Sequence, residues 1–303
     1  MNIWRIKTLA IAFVLMIAAS LGGIKAYLDH YVSQQVARLT EQFAKQATIN
    51  YKQVNLSLFG SLEIKSLRVQ SVTLPEIQIE EITLSPLYEL YDEDRIPNFL
   101  QLTFKNLEIV IPDSILPAPW WLKFAKYDAY YLTLHDLRSL NYTALQADVT
   151  FSAEKKQQFI DLALFINSKQ FGMWQLKVML EGASTLKQLR TAAATLPLHN
   201  ITVDYTDNGL LPRLITLLAQ RNTMTDAALQ QQLSQKVQSD LRRSGAKLDA
   251  SVINGLQKFI QNPRRLTITF EPNPAISLNG LSLLIPENMP QRLNLKLTHP
   301  TSQ

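Results

Sequence analysis

Polar and apolar residues alternate with a period of two from Tyr51 onward, and Val54, Leu56 and Leu58 open that pattern. One motif then recurs: apolar-x-apolar-x-x-apolar-x-apolar. It is carried by Leu62, Ile64, Leu67 and Val69, by Ile77, Ile79, Ile82 and Leu84, and by Leu102, Phe104, Leu107 and Ile109. A weaker copy is Leu132, Leu134 and Leu137, and another occurs at Ile276, Leu278, Leu281 and Leu283. Residues i and i+2 share one face of a strand. The doubled spacer shifts that phase by one. Either a bulge absorbs the extra residue and bends the strand, or two short strands meet at a turn. Further strands are predicted at Leu145–Phe151, Phe159–Ile166, Trp174–Leu180, Ile201–Tyr205, Leu266–Phe270 and Leu293–Leu297. Short polar turns, such as that at 167–170, separate neighbouring runs and favour an antiparallel meander over βαβ units.

Between Asp207 and Gln261 the period changes to that of a helix. Leu210, Leu211, Leu214, Ile215, Leu217 and Leu218 form one broad apolar face, with Asp207 expected as its N-cap. A second helix is predicted over Thr225–Arg243, ended by Gly245, and a third over Asp249–Gln261, stopped before Pro263. Strands resume afterwards, so residues 207–262 read as a helical insertion in a β-rich body spanning 51–303.

The N-terminus follows a different rule. Thr8–Ile24 contains no charged residue, Arg5 and Lys7 precede it and Lys25 follows it. Ile3, Trp4, Ala26, Tyr27 and Leu28 extend the apolar stretch to the length of a membrane span, with aromatics where the interfaces would be. Cleavage near Ala18 and Ser20 would fall inside the apolar run. The sequence thus predicts a cytoplasmic tip (1–7), a transmembrane anchor (8–28) and a stalk helix (29–48) with Val32, Val36, Leu39 and Phe43 as its apolar stripe. The fold class expected is α+β: an N-terminal transmembrane helix and stalk, then a curved, mainly antiparallel sheet with a helical insertion. The bulk would lie outside the cytoplasm.

Composition narrows the chemistry. The 303 residues contain no cysteine, which excludes disulfides, zinc–thiolate sites and cysteine nucleophiles. The net charge of +5 is matched by the surplus within 207–265, where nine Lys/Arg face four Asp/Glu. His30, His135, His199 and His299 lack metal-ligand spacing, and no phosphate loop, nucleophile elbow or dinucleotide fingerprint occurs. Asp92-Glu93-Asp94 reads as a solvated turn without EF-hand spacing. No enzymatic activity, cofactor, metal or nucleic-acid partner is therefore expected. Two surface features point to lipid headgroups: Trp120 and Trp121 within Pro117-Ala118-Pro119-Trp120-Trp121, and a basic helical region with Arg242 and Arg243. Each also has a plainer reading, as loop packing and as a solvated face.

The anchor with the bent segment GSLEIKSLRV, through Gly60, Leu62, Ile64, Leu67 and Val69, resembles the AsmA-like proteins of Gram-negative envelopes. The resemblance covers about Met1–Leu84. It implies an inner-membrane protein with its bulk in the periplasm, related to bridge-like lipid carriers, and no catalytic residues. On that footing Leu62, Ile64, Leu67, Val69, Ile77, Ile79, Leu102 and Phe104 are candidates for an apolar groove. The expected function is non-catalytic envelope lipid handling or envelope assembly, with membrane lipid as partner. The alternative is a structural adaptor for another envelope protein, with no bound ligand.

Overall fold

The computed structural model describes residues 29–31, 33–34, 37–38, 41, 47–57, 60–71, 75–90, 95–111, 132–183, 185, 188, 191–245, 247–281 and 289–299. Twelve strands form one antiparallel sheet. They are β1 (Thr48–Asn50), β2 (Gln53–Leu56), β3 (Leu62–Gln70), β4 (Ile77–Ser85), β5 (Phe99–Val110), β6 (Ala144–Lys156), β7 (Phe159–Ser168), β8 (Gly172–Glu181), β9 (Pro197–Thr206), β10 (Arg265–Phe270), β11 (Ile276–Ser277) and β12 (Lys296–Thr298). From β3 to β10 each strand pairs with the next in sequence, β1 and β2 share the outer edge of β3, and β12 pairs with β10. Short connections join β3 to β4, β6 to β7 and β7 to β8, so those strands pair with their sequence neighbours locally, while β5–β6 and β9–β10 pair across connections that carry helices.

Four main helices accompany the sheet: α1 (Leu134–Ser139), α2 (Leu210–Arg221), α3 (Asp226–Arg243) and α4 (Ala250–Gln261). This corrects the expected α+β class. The described chain is dominated by one large antiparallel sheet with few helices, and among the described residues no helix is long and apolar enough to cross a membrane. The expected span at 8–28 lies outside the described residues, as do the stalk positions Val32, Val36, Leu39 and Phe43 and the acidic run 92–94.

Two copies of the repeated motif also need correction. Leu134 and Leu137 lie in α1, and Leu132 precedes its cap Thr133; none is in a strand. There Thr133 Oγ1 accepts from Asp136 N–H at 3.2 Å and Asp136 Oδ2 accepts from Thr133 N–H at 2.6 Å, a reciprocal cap that nucleates a helical turn. The C-terminal copy forms only the two-residue β11 before Leu278–Leu281 turns helical, with Ser277 Oγ accepting from Gly280 N–H. The N-cap of α2 is Gly209, not Asp207. Asp207 still receives the orphan donors, from Gly209 at 2.6 Å and Leu211 at 3.0 Å.

The doubled spacer resolves as a bulge. β5 sets two residues, Lys105 and Asn106, against the single Asp148 of β6, and Asn106 N–H donates to Asp148 Oδ1 at 2.8 Å. Asn106 and Ser66 adopt left-handed backbone (φ 49° and 55°) while the strands run on. In regular β6, Ala147 and Val149 point to one face. Their partners Leu107 and Phe104 therefore share that face despite lying three residues apart, and so do Ile79 and Ile82, and Leu67 and Ile64. The bulge keeps the apolar residues of each strand on one side.

Candidate functional site

Register turns that one-sidedness into rows crossing the whole sheet. Leu56, Leu62, Leu84, Leu102, Phe151, Leu164, Leu176, Val203, Ile268 and Leu297 stand opposite one another in ten successive strands. Nine intervals of about 4.8 Å make this row about 40 Å long. A second row runs beside it through Val54, Ile64, Ile82, Phe104, Val149, Ile166, Trp174, Tyr205 and Leu266. Beyond the bulge, Ile49, Val69, Ile77, Ile109 and Leu145 form a third. No charged side chain enters these rows.

The opposite face is mostly polar, although Phe99, Phe165 and Met173 are exposed on it. Glu63 faces Thr83, Lys65 faces Glu81, Thr103 faces Thr150 and Gln175 faces Asp204. Its ion pairs, such as Lys65 with Glu63 and Glu81 at 3.8 and 3.9 Å, are solvent-exposed and contribute little to stability. At the bulge this face carries a cavity of about 520 Å³ whose lining includes Lys52, Arg68, Glu80, Asn106 and Glu108.

An ordinary two-layer domain buries its apolar face against another layer. Here the central rows from Leu62 to Leu176 are half-buried. Buried clusters lie at the ends of the strands and, within the rows, at β2, where Val54 and Leu56 are 7% and 6% exposed. Ile96, Ile160, Leu180, Leu196 and Leu198 close one end, and Ile111, Leu137 and Tyr142 the other. At that second end α2 crosses from β9 to α1, where Arg221 Nη2 donates to the buried Asp136 carboxylate and Arg213 Nη1 reaches Tyr142 Oη at 3.3 Å.

α4 packs against the apolar face at Tyr205 and Leu297, while Val203, Leu266 and Ile268 stay as half-buried as the central rows. Its Gly255 lies against Leu297, and its Phe259 ring stands edge-on to Tyr205 at 6.2 Å and to His299 at 6.4 Å. Tyr205 is 4% exposed. Its hydroxyl donates to Asp207 Oδ1 at 2.6 Å, and burial together with that carboxylate pushes the phenol above its ordinary value. One strand away Trp174 stacks on Tyr205 at 4.2 Å yet remains 43% exposed.

All eight groove candidates, Leu62, Ile64, Leu67, Val69, Ile77, Ile79, Leu102 and Phe104, lie on this apolar face, and Ile79 is the most buried of them at 7%. Arg242 and Arg243 are on the exposed last turn of α3, the helix that packs on α2 and α4. Trp120 and Trp121 lie outside the described residues. The Trp174–Tyr205–Phe259–His299 cluster escaped sequence reasoning. Its members are scattered along the chain, and only the β8–β9 register and the seat of α4 join them.

Polar groups that could act chemically are dispersed. His199 pairs with Glu181 at 2.5 Å and packs under Phe159, remote in register from the bulge cavity. Among the described residues no three His, Asp or Glu side chains gather to hold a metal ion. A family model described as an uncharacterized protein matches residues 165–300, from within β7 past the end of β12. No curated protein matches the chain.

Proposed function

We propose that this chain is a non-catalytic lipid-handling protein of the cell envelope, and that the apolar face of its sheet carries acyl chains. One observation bears the reading: charge-free apolar rows, the longest crossing ten strands, stay half-buried through the middle of the sheet. A sheet face has no unpaired backbone groups to offer, so its occupant must bind through apolar contact alone. Each methylene removed from water contributes about 0.8 kcal/mol, so some ten methylenes supply about 8 kcal/mol before the losses of association. A polar ligand gains nothing comparable there.

The uncharged run Thr8–Ile24, flanked by Arg5, Lys7 and Lys25, supports work at the inner membrane with the body on its periplasmic side. That is where acyl chains are found. The bulged strands bearing the GSLEIKSLRV pattern support kinship with the AsmA-like proteins. Lipid analysis of the full chain purified in mild detergent tests the proposal. Copurifying lipid with two-chain or single-chain acyl groups at near-stoichiometric amount is expected. A lipid-free preparation holding one stoichiometric protein partner would replace it with the adaptor reading.

A further inference from the structure

We propose that the kink line across β3, β4 and β5 is the floor of a binding site for a neutral, polyhydroxylated ligand, a saccharide. The site lies on the face opposite the apolar rows and stands independently of the acyl-chain reading.

The backbone supplies the first observation. Ser66, Glu80 and Asn106 are the extra residues of their strands. Lys65, Glu81 and Lys105 stand opposite one another on one side of them, and Leu67, Ile79 and Leu107 on the other, so the three form one line across neighbouring strands. β6 carries no matching residue, and the line ends where Asn106 N–H donates to Asp148 Oδ1 at 2.8 Å. Plain alternation would keep the apolar residues on one side without any extra residue. Instead Ser66 and Asn106 hold left-handed backbone, a conformation that is costly for residues with a side chain and clusters at ligand sites. Bulges also bend a sheet. Bending alone does not select the side chains around the hollow that results.

The second observation is that hollow. The cavity of about 520 Å³ lies along the line, within the size range of small-molecule sites. The link between β1 and β2 walls it on one side, held by Lys52 N–H to the Lys65 carbonyl at 3.0 Å. Asn50, Arg68, Gln78 and Glu108 stand opposite one another in β1, β3, β4 and β5 beside it.

The third is its chemistry. Two cations in the lining, Lys52 and Arg68, are balanced by two carboxylates, Glu80 and Glu108. Partners within the protein leave this set half-used. Arg68 Nε meets Glu76 Oε1 at 3.1 Å, and Glu108 accepts from Gln146 Nε2 at 3.1 Å. Glu80 has only long contacts, from Asn106 Nδ2 at 3.4 Å and Lys105 Nζ at 4.0 Å. Each carboxylate keeps acceptor sites. Among the described residues the side chains of Asn50, Lys52 and Ser66 have no hydrogen-bond or ionic partner. An anion would meet Glu80 and Glu108, a cation would meet Lys52 and Arg68, and a hydrocarbon would desolvate all four with no hydrogen bond in exchange. A sugar hydroxyl donates and accepts at once, so it uses neighbouring amides, carboxylates and an ammonium together.

Saturation-transfer NMR on the full chain, in a detergent without a sugar headgroup, tests this. The probes are glucose, galactose, N-acetylglucosamine and maltose, with phosphoethanolamine as the charged comparison. Saturable binding of at least one sugar, with a Kd of about 1 mM, is expected. Asn50→Trp fills the cavity from a strand position that accepts an aromatic, and should weaken that binding by about tenfold or more. Glu80→Ala should weaken it by about threefold or more. Both variants should keep the thermal midpoint and the lipid content per mole, since both positions are on the polar face. No saturable binding of any of these sugars overturns the proposal and leaves the acyl-chain reading standing. So does sugar binding that Asn50→Trp leaves unchanged, and so does tighter binding of phosphoethanolamine than of every sugar.

Discussion

Gly255 of α4 lies against Leu297 of β12 with no room for a side chain between them. The contact fixes how close the helix comes to the sheet. Gly255→Val should destabilise the fold by about 1–3 kcal/mol, because overpacking outweighs the gain in helix propensity. Thermal unfolding of both chains checks it. Gly255→Ala should fall below that range, since the nearest atom is the end of the flexible Leu297 side chain.

Gly172 starts β8 with φ 101°, and a Cβ there would stand 2.0 Å from the backbone oxygen of Thr206. A carbonyl held in the β8–β9 ladder cannot yield. Gly172→Ala should cost at least about 3 kcal/mol, from the left-handed strain and the forced shift of β9. Denaturant titration would show a lower midpoint, and an unchanged midpoint would contradict the register.

Asn106 holds the bulge of β5 at φ 49°. Asn106→Gly should be neutral or stabilising by up to about 1 kcal/mol, and Asn106→Val destabilising by about 1–2 kcal/mol, because only the β-branched side chain clashes in that conformation. The order of the two melting temperatures is the readout.

Asp136 both caps α1 and accepts from Arg221 of α2. Asp136→Ala removes the cap and leaves the guanidinium without its carboxylate. The loss should be about 2–3 kcal/mol, reduced from the value for a fully buried pair because Arg221 is one-third exposed. Asp136→Asn retains an acceptor for the cap and should lose about half as much, again by denaturant titration.

Tyr205 gives a pH dependence. Its phenol is held above the ordinary value of about 10 by burial and by Asp207. Above that pH the unfolded chain releases the proton while the native chain keeps it. The unfolded state then binds fewer protons, and stability falls as pH rises from the unfolded value towards the native one. Tyr205→Phe should lose about 1 kcal/mol at neutral pH and show a shallower decline above pH 10 than the unchanged chain.

How much of this was legible can be seen at Ser66. The doubled spacer between Ile64 and Leu67 shows that the strand phase slips, but a bulge and a turn between two short strands leave the same trace in sequence. Only the backbone, continuous through a left-handed Ser66, decides between them. Leu132, Leu134 and Leu137 misled because a short i, i+2, i+5 spacing also fits a helical turn. The Thr133–Asp136 cap was the available signal. The seat of α4 on the face had no signal of its own. Trp174 and Tyr205 alternate like any strand residues and Phe259 reads as helix core, so their meeting depends on register and on where α4 comes to rest.

The central claim is that one face of the sheet, and not the other, carries acyl chains. Lipid content per mole of full-length protein, measured for Phe104→Glu and for its neighbour Thr103→Glu, tests this most directly, because the two positions differ by one residue and by face. Phe104→Glu should strip the lipid while Thr103→Glu retains it, with both chains folded by circular dichroism. Equal lipid content in the two variants would contradict the account.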